Sequence, residues 1–258
     1  MQKKRKTLLI PIIFTVVAVA TLLKLGWWQL EQKQRKEALI ARIEQRAGAP
    51  ARFTSVAELV SQNTSVDDLD YTPISLNGHF IHESEVAVFT NREMGSAQFA
   101  GPGYDILTAF QDTSGGIILV NRGFVPQDFR AIKSRALGQT IGEVKITGLI
   151  RKPERHSYVD VPDRPERNEF AVRDPKTIIA FKLSDAQKND AQKNNGSLID
   201  SFYIDLRTPV PDGLLPSPNK TSVSIPNRHL EYVITWWGLA LVFIGMFGVF
   251  VRQHRLAV

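Results

Sequence analysis

The metal-ligating side chains in this sequence are five histidines and a scatter of carboxylates, with no cysteine at all. Without thiols there is no thiolate catalysis, no cysteine-ligated metal, no disulfide and no covalent haem attachment. His79 and His82 stand three apart in a strand-like stretch, so they point to opposite faces and make a poor metal pair. His156 falls in a charged loop, and His254 belongs to a basic C-terminal flank. There is no HExxH, no GxSxG, no phosphate-binding Walker loop and no dinucleotide fingerprint. The acids show no local pairing. Nothing in the residues argues for an enzyme.

His229 differs because of its setting. It opens the segment HLEYVITWWGLALVFIGMFGVFV, an apolar run that reads as a helix. At about 100° per residue, Trp236, Ala240, Phe243 and Phe247 fall within about 40° of His229, and Tyr232 about 60° away. Gly238 and Gly245 fall on the opposite side. Small residues let a second helix approach closely, so the glycine face is expected to pack on the first apolar helix. The histidine face then stays open to a flat apolar ligand, to lipid or to a partner. Neutral imidazole is a good axial ligand for haem iron, and aromatic walls suit a porphyrin. The simpler alternative is an interfacial histidine facing headgroups above an ordinary aromatic belt. Residue chemistry alone leaves both open.

Two uncharged runs, Thr7–Leu23 and Tyr232–Val251, supply the elements that would hold such a site. Twenty helical residues rise about 30 Å, the thickness of a bilayer's hydrocarbon core. The first run reaches that length if Lys24 snorkels and Leu25 to Trp28 sit at the interface. A cleaved signal peptide is the alternative, given the basic start and Ala18-Val19-Ala20, but the apolar run continues past that point to Trp27-Trp28.

The formal charge of +6 and pI near 9.5 look like a nucleic-acid footprint until the charges are located. Between residues 31 and 226 acids and bases nearly cancel. The excess lies at the flanks, in Lys3, Lys4, Arg5, Lys6, Lys24, Arg228, Arg252 and Arg255. This pattern puts both termini in the cytoplasm and the intervening domain outside, with the lipid bilayer and not nucleic acid as the partner. No Arg- and Ser-rich transit segment is present, which points to a bacterial inner membrane and a periplasmic domain.

The expected organisation is a cytoplasmic N-terminus (1–6), a first span (7–28), an extracytoplasmic α+β domain (29–208), a Pro/Ser-rich tether (209–227), a second span (228–251) and a cytoplasmic tail (252–258). Glu31–Arg46 continues the first span as a helix ended by Gly48 and Pro50. A short helix falls near Ser55–Gln62. Strands are expected in ISLNGHF, EVAVF, DILTAF, IILVNRGFV, EVKITGLIR and FYIDLR, with Asp112–Gly116 as a hairpin loop. Helices are expected over Asp128–Leu137 and Pro175–Leu183. Strands flanked by peripheral helices indicate a curved antiparallel sheet or partly open barrel. The tandem DAQKN over residues 185–194 reads as an exposed insertion.

Four segments resemble the Surfeit locus family of cytochrome oxidase assembly factors. They are Leu25-Gly26-Trp27-Trp28-Gln29, GPGYDILTAF (101–110), ILVNRGFVP (118–126) and NRHLEYVITWWGLA (227–240). The resemblance covers nearly the whole chain, and the last two segments are its specific part. Phe124 stands where the family usually has Trp, and Gln32 where it has a basic residue. The resemblance implies a role in building haem–copper terminal oxidases, with haem a as cargo. His229 would be the axial ligand to iron, with Trp236, Trp237, Tyr232 and Trp28 around it. The oxidase catalytic subunit, and the enzyme that makes haem a, are the implied partners, with Asn121, Arg122, Gly123 and Phe124 as a contact segment. The other readings are a scaffold that carries no haem, and a membrane-bound enzyme or sensor with an outer pocket.

Overall fold

The computed structural model describes residues 2–62, 64–92, 99–155, 162–184, 197–210, 215–218 and 229–256. They cluster into two units: the terminal helices up to Arg42 and from His229, and a domain beginning at Ile43.

In the first unit, α1 (Gln2–Ala47) is one continuous helix of 46 residues, about 70 Å long. Its polar half is laced by i,i+4 pairs, Lys33–Glu37 at 3.1 Å and Glu31–Arg35 at 3.7 Å. It stops at Gly48, as expected. The last helix, α5 (His229–Leu256), carries the second apolar run. Both helices are long and apolar enough to cross a membrane, and only 6% and 11% of their most apolar stretches are buried. The core helix of a water-soluble protein would bury that surface, so the exposure points to membrane association.

The second unit is a β-barrel. Its strands are β1 (Pro73–Arg92), β2 (Gly101–Asp112), β3 (Ile117–Pro126), β4 (Val144–Arg151), the two-residue β5 (Glu169–Phe170) and β6 (Leu198–Thr208). The order β2-β3-β6-β4-β1, together with a direct β1–β2 pairing, closes a ring of five strands; β5 adds to β1 outside the ring. All ring pairs are antiparallel except β3–β6. A closed five-stranded Greek-key ring with one parallel pair is an OB-like architecture. Closure answers the choice between sheet and barrel that local sequence leaves open.

The inner face holds Ile74, Leu76, Phe80, Phe110, Ile118, Val120, Ile146, Ile150, Ile204 and Leu206. One end is stoppered by α2 (Val56–Ser61) and α3 (Val66–Leu69), through Val56, Leu59 and Leu69. Ser55 caps α2 by accepting from Glu58 N at 3.1 Å, while the Glu58 carboxylate accepts from Thr54 N at 2.8 Å. Asp112 ties the β2–β3 hairpin to this helix. Its carboxylate accepts from Gly116 N (2.8 Å), Ser114 N (3.0 Å) and Val56 N (2.7 Å). Part of the outer face is covered by α4 (Pro175–Lys182), whose Ile178 and Ile179 are buried against the strands.

The structure corrects two expectations. Residues 128–137 are not an α-helix but two 3₁₀ segments, Gln127–Phe129 and Ile132–Gly138, and Arg135 takes non-helical angles (φ −139°, ψ 39°). Two breaks account for this: Ala131 is extended (φ −65°, ψ 133°), and Arg135 turns inward to the buried carboxylate of Glu85. The tether, expected from residue 209, is interrupted. Leu215 is buried beside Tyr104, Ile106 and Val125, and Ser217 pairs with Phe124 through two backbone hydrogen bonds of 2.8 Å. Residues 215–218 are therefore a strap seated on the barrel. The DAQKN repeat, His156 and residues 211–214 and 219–227 of the tether lie outside the described residues.

Candidate functional site

In the helical unit, α1 and α5 meet around Gly26 and His229. A Cβ added at Gly26 would collide with the Trp237 indole, so glycine is what lets that ring lie across α1. Trp237 Nε1 points toward the Leu23 carbonyl oxygen at 3.5 Å. Along α5 Gly238, Val251 and His254 are half-buried, and one stripe of half-buried to buried positions is formed by His229, Val233, Trp236, Ala240 and Phe247, with Val233 and Ala240 the most buried. These are spaced by three, four and seven, the seam of a helix pair.

This corrects the expected orientation. A Cβ added at Gly238, Gly245 or Gly248 would meet nothing within 4 Å, so no described helix packs closely on the glycine face. The histidine stripe is the face turned to α1. The small residue that permits close approach is Gly26, on the other helix.

His229 is half-buried at the start of that seam, and its Nδ1 lies 2.7 Å from Gln29 Oε1. An amide oxygen only accepts, so Nδ1–H donates. In a neutral ring the lone pair then sits on Nε2, the nitrogen farther from the backbone. A ligating histidine is commonly held this way, its second nitrogen engaged by an acceptor. Trp236 lies two turns along the same stripe, and its Nε1 is buried without a hydrogen-bond partner among the described residues. Tyr232 and Trp28 are about half exposed. His229 and Trp236 share one stripe but stand seven residues apart, about 10 Å along α5, Trp237 lies across Gly26 of α1, and Tyr232 and Trp28 are on outward surfaces. Sequence reasoning misses Gln29 as a site residue; its signal is an amide immediately after the tryptophan pair. A single imidazole held through Nδ1 by an acceptor suits a haem with one axial ligand from the protein. No group of three His, Cys, Asp or Glu that would hold a bare metal ion occurs among the described residues.

The segment Asn121–Phe124, expected as a partner contact, is internal. Asn121, Arg122 and Phe124 are buried, so their side chains are not offered to a partner. The Asn121 amide donates to Asp205 at 2.9 Å and lies 3.4 Å from Asp105, and its oxygen accepts from Gly123 N at 3.1 Å. Gly123 adopts φ +119° at a bulge opposite Asp105–Leu107. Phe124 lies under the Arg92 guanidinium, 4.5 Å from its ring centre.

Arg122 points to the other face, over Phe80 (4.9 Å), and donates to Gly138 O and toward Glu85 at 3.4 Å. Glu85 is delivered by a bulge in β1 between Ile81 and Val86, where Ser84 Oγ accepts from Ala109 N (2.8 Å) and donates to Ile81 O (2.6 Å). Arg135 completes the cluster with a two-pronged ion pair to Glu85. An open cleft of about 480 Å³ lies beside it, lined by Glu85, Gln127, Arg130, Ile132, Arg167 and Asn168. Its one buried carboxylate is thus committed to arginines.

On the outer face Asp105 and Asp205 meet Arg173 and Arg151, the latter at 2.9 Å from Asp205. Burial pushes the Asp205 carboxyl up, and both arginines oppose it. Burial also pushes the Tyr203 phenol above its ordinary value; Asp205 adds to this, and Arg173 and Arg151 oppose it. The folded chain then keeps a proton that the unfolded chain releases. This group's contribution is complete below the ordinary phenol range and is lost as pH rises from there through the folded value. In an alkaline titration, Tyr203→Phe is expected to spare the early tyrosinate absorbance. It should remove amplitude only from the phase that accompanies unfolding.

The fold and site define a membrane-associated protein: an OB-like barrel between two apolar helices, with an acceptor-held histidine on the helix seam. Residues 16–241 match the SURF1 family. Surfeit locus protein 1 of Mus musculus is 30% identical over 251 residues, covering 93% of this chain and 76% of that protein. The SURF1-like protein of Monosiga brevicollis is 30% identical over 236 residues, covering 89% and 82%. Surfeit locus protein 1 of Homo sapiens is 30% identical over 227 residues, covering 84% and 69%. The chain belongs to the SURF1 family.

Proposed function

We propose that this chain is an assembly factor for a haem–copper terminal oxidase, one that carries haem a and passes it to the oxidase catalytic subunit. Family membership supports a role in cytochrome oxidase assembly. The observation behind the haem reading is the His229–Gln29 pair, which leaves Nε2 as the lone-pair nitrogen. It is a carrier and not a catalyst. His229, at the start of the seam, would ligate the iron. One neutral imidazole holds the cargo more weakly than two would, and that favours its release to a better-ligated destination. Both helices cross a bacterial inner membrane with the termini in the cytoplasm, and the barrel lies in the periplasm. The flanking Lys and Arg residues support this orientation.

The test is an absorption and pyridine haemochrome spectrum of the full chain, made in cells that produce haem a and purified in detergent. Haem a in the wild type, lost or spectrally altered in His229→Ala, is the expected result. A folded, membrane-inserted wild type that carries no haem would sink this reading. A haem-free scaffold then becomes the better account. The exposed Phe129, Ile132, Leu137 and Ile141 on the β3–β4 connection favour it as a contact surface.

A further inference from the structure

We propose that Gln29 is a positioning residue that sets the tautomer and direction of the His229 ring. The role in ligand binding rests on the haem reading above; the tautomer assignment does not.

His229 Nδ1 and Gln29 Oε1 are 2.7 Å apart, a short hydrogen bond for a nitrogen donor. The acceptor is an amide oxygen, so the proton is on Nδ1. Free imidazole side chains in water favour the opposite tautomer, with the proton on Nε2. Gln29 therefore works against the intrinsic preference, and in doing so places the lone pair on the outer nitrogen.

The bond spans two helices and depends on how they approach. Gly26 lies one turn before Gln29 on α1, and the Trp237 indole sits across it. That contact sets the separation over which Gln29 must reach. His229 is only half-buried, so packing leaves the ring's rotation about the side-chain bond to its hydrogen-bond partner. The neighbouring α1 residue Trp28 lies about 100° round the helix and cannot take over this task.

The choice of an amide over a carboxylate has a chemical consequence. A carboxylate behind Nδ1 raises the basicity of a ligating imidazole and strengthens its hold on the metal. An amide fixes the tautomer without adding negative charge. It orients the ring while leaving it a moderate ligand, which a protein that must release its cargo requires.

The test has two readouts on the full chain in lipid nanodiscs. The first is ¹⁵N NMR of the histidine rings without haem. Wild type is expected to show His229 protonated at Nδ1, and Gln29→Leu to move the proton to Nε2. Gln34→Leu, on an exposed face of the same helix, should change nothing. The second is titration with haem a. Gln29→Leu is expected to bind 10- to 100-fold more weakly, the usual loss when a ligand's hydrogen-bond partner is removed. Gln29→Glu should bind at least as tightly as wild type. An unchanged tautomer in Gln29→Leu overturns the proposal, and so does a changed tautomer with unchanged haem affinity. A changed tautomer in a chain whose wild type binds no haem a supports the tautomer assignment. It counts instead against the haem reading of Proposed function.

Discussion

Glu85→Gln is expected to cost the barrel about 3–5 kcal/mol, the range for stripping one partner from a buried ion pair. Glu85 is the carboxylate that faces both Arg122 and Arg135, and the three side chains are 7%, 3% and 1% exposed. Burial pushes the Arg122 guanidinium down to about 10; Glu85 pulls it up and Arg135 pushes it further down. A lowered pKa in a base means that the folded state penalises its charged form, and this penalty is present at neutral pH. A guanidinium does not shed its proton to escape, so removing Glu85 leaves two buried cations with only neutral acceptors. A loss of this size is a large share of a typical domain's 5–15 kcal/mol. Chemical denaturation of the full chain in detergent, followed by near-ultraviolet circular dichroism, measures it. Adding Arg135→Met to Glu85→Gln should restore part of the loss, because one of the unpaired charges is then gone. A single variant within about 1 kcal/mol of wild type would mean that water reaches the cluster and solvates both arginines.

The same cluster marks where sequence reading stops. Residues 128–137 have the spacing of a helix, but Ala131 is extended and Arg135 leaves helical angles in the direction of Glu85. That direction depends on a bulge in β1 some fifty residues earlier. Local features are legible because their causes are local: the long α1 and its stop at Gly48, the short helix near Ser55–Gln62, the Asp112–Gly116 hairpin. Ring closure is not, because β1 must pair with β2 and β4 at once. Its 20 residues do this by turning from one partner to the other.

The motif Asn121–Phe124 misleads for a related reason. A polar Asn-Arg pair in a strand looks like a surface. In β3 every position from Ile117 to Val125 is buried, so both of its faces are covered. The uninterrupted IILV before it is the compositional sign of such a strand. On α5 the small residues of one helix are a poor guide to its packing face. The close approach is made by Gly26 on the partner helix, and this places His229 in the seam and brings Gln29 to it.

Gly123→Ala is expected to cost the barrel about 3 kcal/mol. At φ +119° a side chain is strained, which costs on the order of 1–3 kcal/mol by itself. Here the added methyl also runs into the Ser217 carbonyl oxygen, part of the backbone of the strap. Backbone cannot rotate aside like a flexible side chain, so the strap must lift. Lifting it breaks both Phe124–Ser217 hydrogen bonds, each worth about 1 kcal/mol. It also uncovers Leu215, which packs on the barrel beside Tyr104 and Ile106. Gly101 separates the two effects. It has φ +95° and nothing within 4 Å of a Cβ, so Gly101→Ala carries the conformational strain alone. Denaturation of both variants, with limited proteolysis across residues 209–218, distinguishes them. Gly123→Ala should be the less stable and should be cut faster within the strap, while Gly101→Ala keeps the wild-type cleavage rate there. Equal losses and equal cleavage would show that the strap is not held by Phe124. Asn121, whose side-chain oxygen accepts from Gly123 N, would then serve the bulge alone.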